Sequence, residues 1–250
     1  MSASGDLAAE YRRQERWRRW DEAVARVPWR PGQRVLDLGC GVGAVCARLH
    51  GAGLEVIGVD GDEDLLAAAR ARCPEVRFEK LDLRQVDAST FGRVDGVWTS
   101  FVAAYFHDLE AVVKQWADLV AVGGWVVLVE VDDLLGHEPS GVRAEVERFY
   151  AAAKLGKGYD FECGRRLADV ARGAGLTVVH EGTLPDDELA FEGPAAAEVL
   201  EAWRARMARM RGAQAFFGER WGAIEAGLLA AMASPAHRVT ARVVMVVAQR

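Results

Sequence analysis

The stretch Arg34–Gly43, RVLDLGCGVG, restricts the folds open to this chain more than any other part of it. A short β-rich run (Arg34–Leu38) passes directly into Gly39-Cys40-Gly41-Val42-Gly43, and Ala44–His50 continues as a helix. Glycine suits a sharp strand-to-helix turn because it lacks the Cβ that would keep a ligand away from the backbone. Further β-rich runs follow at Glu55–Asp60, Val76–Glu79, Val94–Ser100 and Trp125–Val131, separated by helical stretches such as Asp62–Arg72 and Leu109–Val120. Strands that are apolar on both faces and alternate with helices predict a parallel sheet covered on both sides, with right-handed crossovers. Leu176–Glu181 and Arg238–Ala248 read as two more strands, the last returning antiparallel after an inserted helical pair, Pro194–Arg211 and Gly218–Met232.

The expected fold is therefore α/β, doubly wound. It has a mostly parallel seven-stranded sheet, an antiparallel last strand, an N-terminal helix and a helical insertion as cap. The expected segments are a cap helix in 1–31, a cofactor-binding Rossmann-like domain in 32–184, the insertion in 185–236 and the last strand in 237–250. The N-terminal helix, Asp6–Val27, ends at Pro28 and Pro31 and carries Trp17, Trp20, Val24 and Val27 on one stripe. Arg12, Arg16 and Arg19 form a solvated face, and Tyr11 lies off the tryptophan stripe. The insertion is a substrate cap or an oligomer contact, and a homodimer stays open.

In an open α/β sheet, ligands bind outside the carboxyl ends of the strands, where the glycine turn sits. Asp60 ends the second strand 17 residues after Gly43, and a carboxylate there can accept hydrogen bonds from both hydroxyls of a ribose. Asp62 is the better N-cap for the helix that follows. A dinucleotide oxidoreductase also expects an acid near that position, but the third glycine comes one residue early for its fingerprint. Asp37, two residues before Gly39, would repel a pyrophosphate and suits an ammonium.

VLDLGCGVG resembles the first motif of class I S-adenosylmethionine-dependent methyltransferases, and GVD ending in Asp60 resembles the second. Lys80-Leu81-Asp82-Leu83, VDGVWTSF and GGWVVLVEV resemble the segments at the third, fourth and fifth strands, so the likeness covers about Gln33 to Val131. The resemblance implies S-adenosylmethionine as cofactor. Asp37 would then hold the methionine amino group, and the backbone of Gly39, Cys40 and Gly41 would border the methionine. Asp60, beside Gly61, would bind the ribose. Asp82 would contact the adenine amino group with the backbone of Leu83, and Ser100 would turn its carbonyl to the ammonium. Tyr11 is expected to cover the methionine end as part of a lid.

Methyl transfer from a sulfonium asks mainly for orientation and exclusion of water, with a base where the nucleophile carries a proton. Methyltransferases of nucleic-acid amino groups resemble one another in an Asn or Asp followed by Pro-Pro-aromatic after the fourth strand. This chain has TSFV there and a net charge of −6, so no nucleic-acid partner is expected. His107 is the first candidate base, its ordinary pKa of about 6.5 suiting neutral pH. Glu130-Val131-Asp132-Asp133 sets three carboxylates at the same edge, with Asp133 and Asp132 as base or as partner for a substrate amine. Asp132, Asp133 and His137 are metal-ligating residue types, but spacing this short is common by chance, and no metal is expected. Tyr150, Lys157, Tyr159, Asp160 and Phe161 are either a pocket wall or a surface loop.

The four cysteines form no CxxC pair, the N-terminus is polar, and no run of about eighteen apolar residues occurs. These features point to a cytoplasmic protein that does not contact membrane. The Ala/Arg/Gly-rich composition points to a high-GC bacterium. The expected activity is methyl transfer to N or O, less readily C, of a small molecule such as a specialised metabolite. The alternatives are a cofactor-binding protein with another activity, or an NAD-type oxidoreductase.

Overall fold

The structure, a computed structural model, describes residues 3–250, with side chains from Leu7 onward, so Met1 and Ser2 of the expected cap segment lie outside it. Helices α1 (Ala3–Gln14) and α2 (Trp20–Ala25) precede the central strand β1 (Arg34–Leu38). The alternation then runs α3 (Ala44–Gly51), β2 (Glu55–Asp60), α4 (Glu63–Arg72), β3 (Arg77–Lys80), α5 (Ala88–Phe91), β4 (Val94–Ser100), α6 (Leu109–Leu119) and β5 (Val120–Asp132). Beyond it come β6 (His137–Glu138), α7 (Arg143–Leu155), α8 (Leu167–Gly173), β7 (Thr177–Leu184), α9 (Ala197–Arg209), α10 (Arg211–Phe217), α11 (Trp221–Met232), β8 (Arg238–Val239) and β9 (Arg242–Gln249).

Seven strands form one sheet in the order β3-β2-β1-β4-β5-β9-β7. Strands β1 to β5 pair in parallel, and β9 pairs antiparallel with both β5 and β7. The strand order reverses between β1 and β4, which opens a crevice at their carboxyl ends. Val35, Leu36 and Leu38 of β1 are fully buried, as a strand covered on both faces requires. One core packs Trp98 and Val127 under Trp17, Trp20 and Trp203, and the other packs Val97 and Leu128 under Trp116 and Leu167. Asp62 caps α4, accepting from Asp64 N at 2.9 Å and Leu65 N at 3.2 Å.

β9 runs antiparallel for a simple reason. β7 delivers the chain to the carboxyl edge, α9 to α11 are built there, and a strand that starts at that edge can only run back. The expected single strand Arg238–Ala248 is split. Arg238–Val239 pairs with β6 in a separate ribbon. Thr240 then turns aside, its hydroxyl donating to Asp133 at 2.6 Å and its N–H to Gly136 O at 2.8 Å.

The expected helix Asp6–Val27 is also broken. Arg18 adopts an extended backbone (φ −93, ψ 138) and bridges to Asp186. Its guanidinium donates to both oxygens of Asp186 (2.8 and 2.7 Å) and to Glu188 (2.6 Å). Helical periodicity continues through the break, so the cause is this long-range pairing and not local propensity. Arg16 and Arg19 do not face solvent alone. They pair with Glu198 and Asp187 of the segment after β7. Trp17, Trp20, Val24 and Val27 are buried together, as their stripe predicts.

Candidate functional site

The crevice at the carboxyl edge deepens into a cavity of about 850 Å³ between the sheet, α1 and the segment after β7. The glycine turn forms its floor. Gly39 (φ +77) and Gly41 (φ +52) hold left-handed backbone. A Cβ on Gly39 would collide with the Val102 side chain, and one on Gly41 would rest in ordinary contact with the Tyr11 ring, 3.5 Å away. Tyr11 therefore covers the turn from α1, and burial pushes its phenol up to about 12. Gly39, Cys40, Gly41 and Tyr11 all line the cavity.

Asp37 lines it from the end of β1 and is 2% exposed. Its carboxylate accepts from the Cys46 thiol at 3.1 Å and meets no cation among the described residues. Burial raises it to about 7. Asp60 braces the turn, accepting from Gly41 N and Asp62 N, each at 2.9 Å. Burial lifts its pKa against the pull of those two N–H groups. Gly61, Leu83, Ser100 and the exposed Asp82 complete this half, Asp82 accepting from Arg84 N at 2.9 Å. All ten residues expected around the cofactor thus share one cavity.

The other half is aromatic, with Trp20, Phe101, Tyr105 and Tyr159 in its wall and Leu134, Leu189 and Arg206 closing it. Phe101 holds a left-handed backbone (φ +57), uncommon for a bulky residue. Its ring stands edge-on to Trp20 with centroids 5.8 Å apart, and the Arg18 guanidinium lies 5.2 Å over it. Tyr159 therefore belongs to a pocket wall and not to a bare surface loop.

The three residues expected to supply a base do not meet there. His107 is exposed and lies outside the cavity wall. Asp132 is buried between Arg165 (2.7 Å) and Arg242 (2.5 Å). Asp133 is buried with both oxygens on Arg143 (2.9 and 2.7 Å) and one on Thr240. Their charges are spent on structural pairs, so His107, Asp132 and Asp133 are corrected from candidate bases to a surface residue and two buried anchors. His137 shares a 3.1 Å hydrogen bond with His237 in a stacked pair, and burial lowers its pKa to about 3. Among the described residues no group of three or more His, Cys, Asp or Glu is placed to hold a metal.

Sequence reasoning also missed Glu130 as a separate case within the acidic run. It ends the apolar part of β5, fully buried, with no arginine beside it. The only signal available was the strand period of two, which sets Glu130 and Asp132 on one face and cannot say which of them meets a cation.

These features define a class: an α/β protein that binds a nucleoside-bearing cofactor at the switch point of its sheet. A family model described as a methyltransferase domain matches residues 9–181, and the chain belongs to the S-adenosylmethionine-dependent methyltransferases. It is 32% identical over 200 residues to nocamycin O-methyltransferase of Saccharothrix syringae, covering 70% of this chain and 68% of that one. It is 34% identical over 129 residues to trans-aconitate 2-methyltransferase of Variovorax paradoxus, covering 50% of this chain and 49% of that one. The matched segments span about a third to a half of the first curated relatives. Phosphoethanolamine N-methyltransferase 2 of Haemonchus contortus, solved with S-adenosyl-L-methionine, shares the fold. Its TM-score is 0.57 at 19% identity, over 92% of this chain and 52% of that one.

As a member of this family the chain takes S-adenosylmethionine as its cofactor, and the residues present suit it. Asp37 is a buried anion lacking a cation, and the turn at Gly39 and Gly41 presents backbone without side chains. No helix among the described residues is long and apolar enough to cross a membrane.

Because the Asp60 carboxylate both braces the turn and faces the cavity, Asp60→Ala should weaken cofactor binding about tenfold to a hundredfold. This is the worth of a charge-assisted hydrogen bond, roughly 1.5–3 kcal/mol. Titration calorimetry reads the effect, and an unchanged dissociation constant would remove Asp60 from the contact.

Proposed function

We propose that this protein transfers a methyl group to an oxygen atom of a small molecule held in the aromatic half of the cavity. The observation that carries the reading is that half itself. Tyr105, Tyr159, Trp20 and Phe101 surround it, and Leu189 and Arg206 close it from the segment after β7. Such an aromatic, partly enclosed wall suits a compact planar molecule. The names of the O-methyltransferase and trans-aconitate relatives support oxygen over nitrogen. Four free, buried cysteines fit a reducing compartment, and we place the protein in the cytoplasm.

In this reading Asp37 and the Gly39–Gly41 backbone receive the methionine end, with the Ser100 carbonyl beside it and Tyr11 above it. Asp60 and Gly61 receive the ribose, and Asp82 and Leu83 the adenine. When bound, the cofactor supplies a methyl group already activated on a sulfonium. The chain's own work is to hold the acceptor in line, exclude water and take away a proton.

The test supplies methyl-deuterated cofactor and an extract of a high-GC bacterium to the protein, followed by mass spectrometry. One labelled methyl on a small molecule is expected. Label confined to the cofactor, to protein or to nucleic acid would sink the reading.

A further inference from the structure

Seven carboxylates are buried among the described residues. Five of them meet arginine: Glu10, Asp132, Asp133, Asp186 and Glu188. The two that meet none are Asp37 and Glu130. A buried ionised carboxylate without a cation is costly, so such a site persists where function needs it. Asp37 has a partner in the cofactor's ammonium. Glu130 has no such partner, and the proposed function does not yet use it.

Glu130 sits at the carboxyl end of β5, one residue before Val131 of the cavity wall. Its Oε2 accepts from Ala104 N at 3.1 Å, and its Oε1 from Val131 N at 2.9 Å. The Tyr159 phenol lies beside it, close enough for each group to feel the other's charge. Tyr159 lines the cavity while Glu130 does not, so of this neighbouring pair the phenol is the member that reaches substrate space. The Tyr159 ring is fixed edge-on between Tyr105 (5.0 Å) and Phe161 (4.8 Å).

We propose that Glu130, reached through the Tyr159 hydroxyl, receives the proton of a hydroxyl-bearing aromatic acceptor, a phenol or an enol. Tyr159 touches the acceptor; Glu130 positions the phenol's proton and takes it up. As the acceptor oxygen bonds to the methyl carbon, its O–H bond breaks and the proton passes to the Tyr159 oxygen. The proton of Tyr159 passes to Glu130, and the electron pair of the carbon–sulfur bond stays on sulfur as a neutral thioether. Charge balances, since a sulfonium and a carboxylate become a thioether and a carboxylic acid.

The electrostatics suit this relay. Burial raises Glu130 to about 7, so the group can take and release a proton near neutrality. The groups facing it are Tyr105, Tyr159, Cys163 and Asp160, and Asp160 is already neutralised by Arg166 at 2.7 Å. Burial holds the Tyr159 phenol well above its usual range, so Tyr159 keeps a proton to pass on. An acceptor carboxylate, ionised at neutral pH, would need none of this.

The inference rests on the proposed oxygen methylation, and its test separates the two. With the acceptor recovered from the deuterium-label experiment, kcat/KM is measured from pH 5.5 to 9 for the wild type, Glu130→Gln and Tyr159→Phe. The wild type should rise through about pH 7 to a plateau. Both variants should lose about 10²–10⁴-fold in turnover, and Glu130→Gln should lose the limb near 7. Affinity for S-adenosylhomocysteine, read by calorimetry, should stay within about twofold. In the S-adenosylhomocysteine complex, where the ligand's ammonium holds Asp37 ionised, an infrared carboxyl band that titrates near 7 in the wild type should vanish in Glu130→Gln. Should that variant fail to fold, Tyr159→Phe carries the test, since it keeps both backbone bonds of Glu130. Turnover within about threefold of wild type in the folded variants overturns the inference, as does an unchanged limb or a label released by mild alkali as from a methyl ester. Absence of label on any small molecule removes the parent reading and this one together.

Discussion

Asp37→Asn should weaken S-adenosylmethionine binding by about two to three and a half orders of magnitude and at the same time make the cofactor-free protein more stable at pH 8. Asp37 is buried without a cation, and burial raises its pKa from 3.8 to about 7. In the complex its expected partner is the cofactor's ammonium, and breaking a buried ion pair costs about 3–5 kcal/mol. In the free protein the same charge is a burden. The folded state prefers the protonated acid, so the group's stabilising contribution is whole below about pH 4 and lost as pH rises through about 7. At roughly 1.4 kcal/mol per pKa unit, the full loss is on the order of 4 kcal/mol. The amide keeps an oxygen for the Cys46 thiol, and its own imperfect burial returns about 1–3 kcal/mol of that gain. Denaturant unfolding from pH 4 to 8 should show the variant pulling ahead of the wild type up to about pH 7 and then level. Calorimetry gives the affinity. Unchanged binding would show that Asp37 is a turn residue and nothing more.

Arg18→Met should cost about 3–5 kcal/mol of stability and lower the melting temperature by roughly 6–20 °C. Arg18 stands 7% exposed against Asp186 and Glu188, which are 1% and 0% exposed, and Glu188 also holds Arg206 at 2.8 Å. Removing the guanidinium leaves Asp186 as an unpaired buried acid, one whose pKa burial already raises. Asp186 also orders the segment beside the cavity, accepting from Glu188 N at 2.9 Å and Leu189 N at 2.7 Å. Limited proteolysis near 186–193 should therefore quicken along with the fall in melting temperature. The double variant Arg18→Met, Asp186→Asn should recover part of the loss, because the amide oxygen still accepts from Glu188 N and Leu189 N while no charge is left stranded at that position. A loss below about 1 kcal/mol in the single variant would mean that water compensates Asp186.

A difference in reach separates the residues that could be placed from sequence from those that could not. RVLDL, the glycine turn, Asp60 and the Asp62 cap act within one strand–turn–helix unit, where spacing alone sets geometry. Nine of the ten cofactor candidates lie in that unit or at the ends of the next strands, where the family resemblance located them, and the tenth, Tyr11, lies on α1; all ten line one cavity. Trp17 and Trp20 were legible as core for the same reason, through helical periodicity.

The acids at the edge were a different matter. Asp132, Asp133 and Glu130 look alike in sequence, but what each does depends on partners that no local pattern announces. Asp132 is claimed by Arg165 and Arg242, 33 and 110 residues away. Arg143 and Thr240 claim Asp133, and no cation reaches Glu130. The break at Arg18 answers to Asp186, 168 residues on. Hydrophobic periodicity and turn chemistry are short-range, so the sequence by itself determined the sheet, the turn and the cofactor half. Charge pairing in a low-dielectric interior is settled by whichever arginine the folded chain brings within about 4 Å. Only the tertiary structure decided which of these carboxylates is left without a cation.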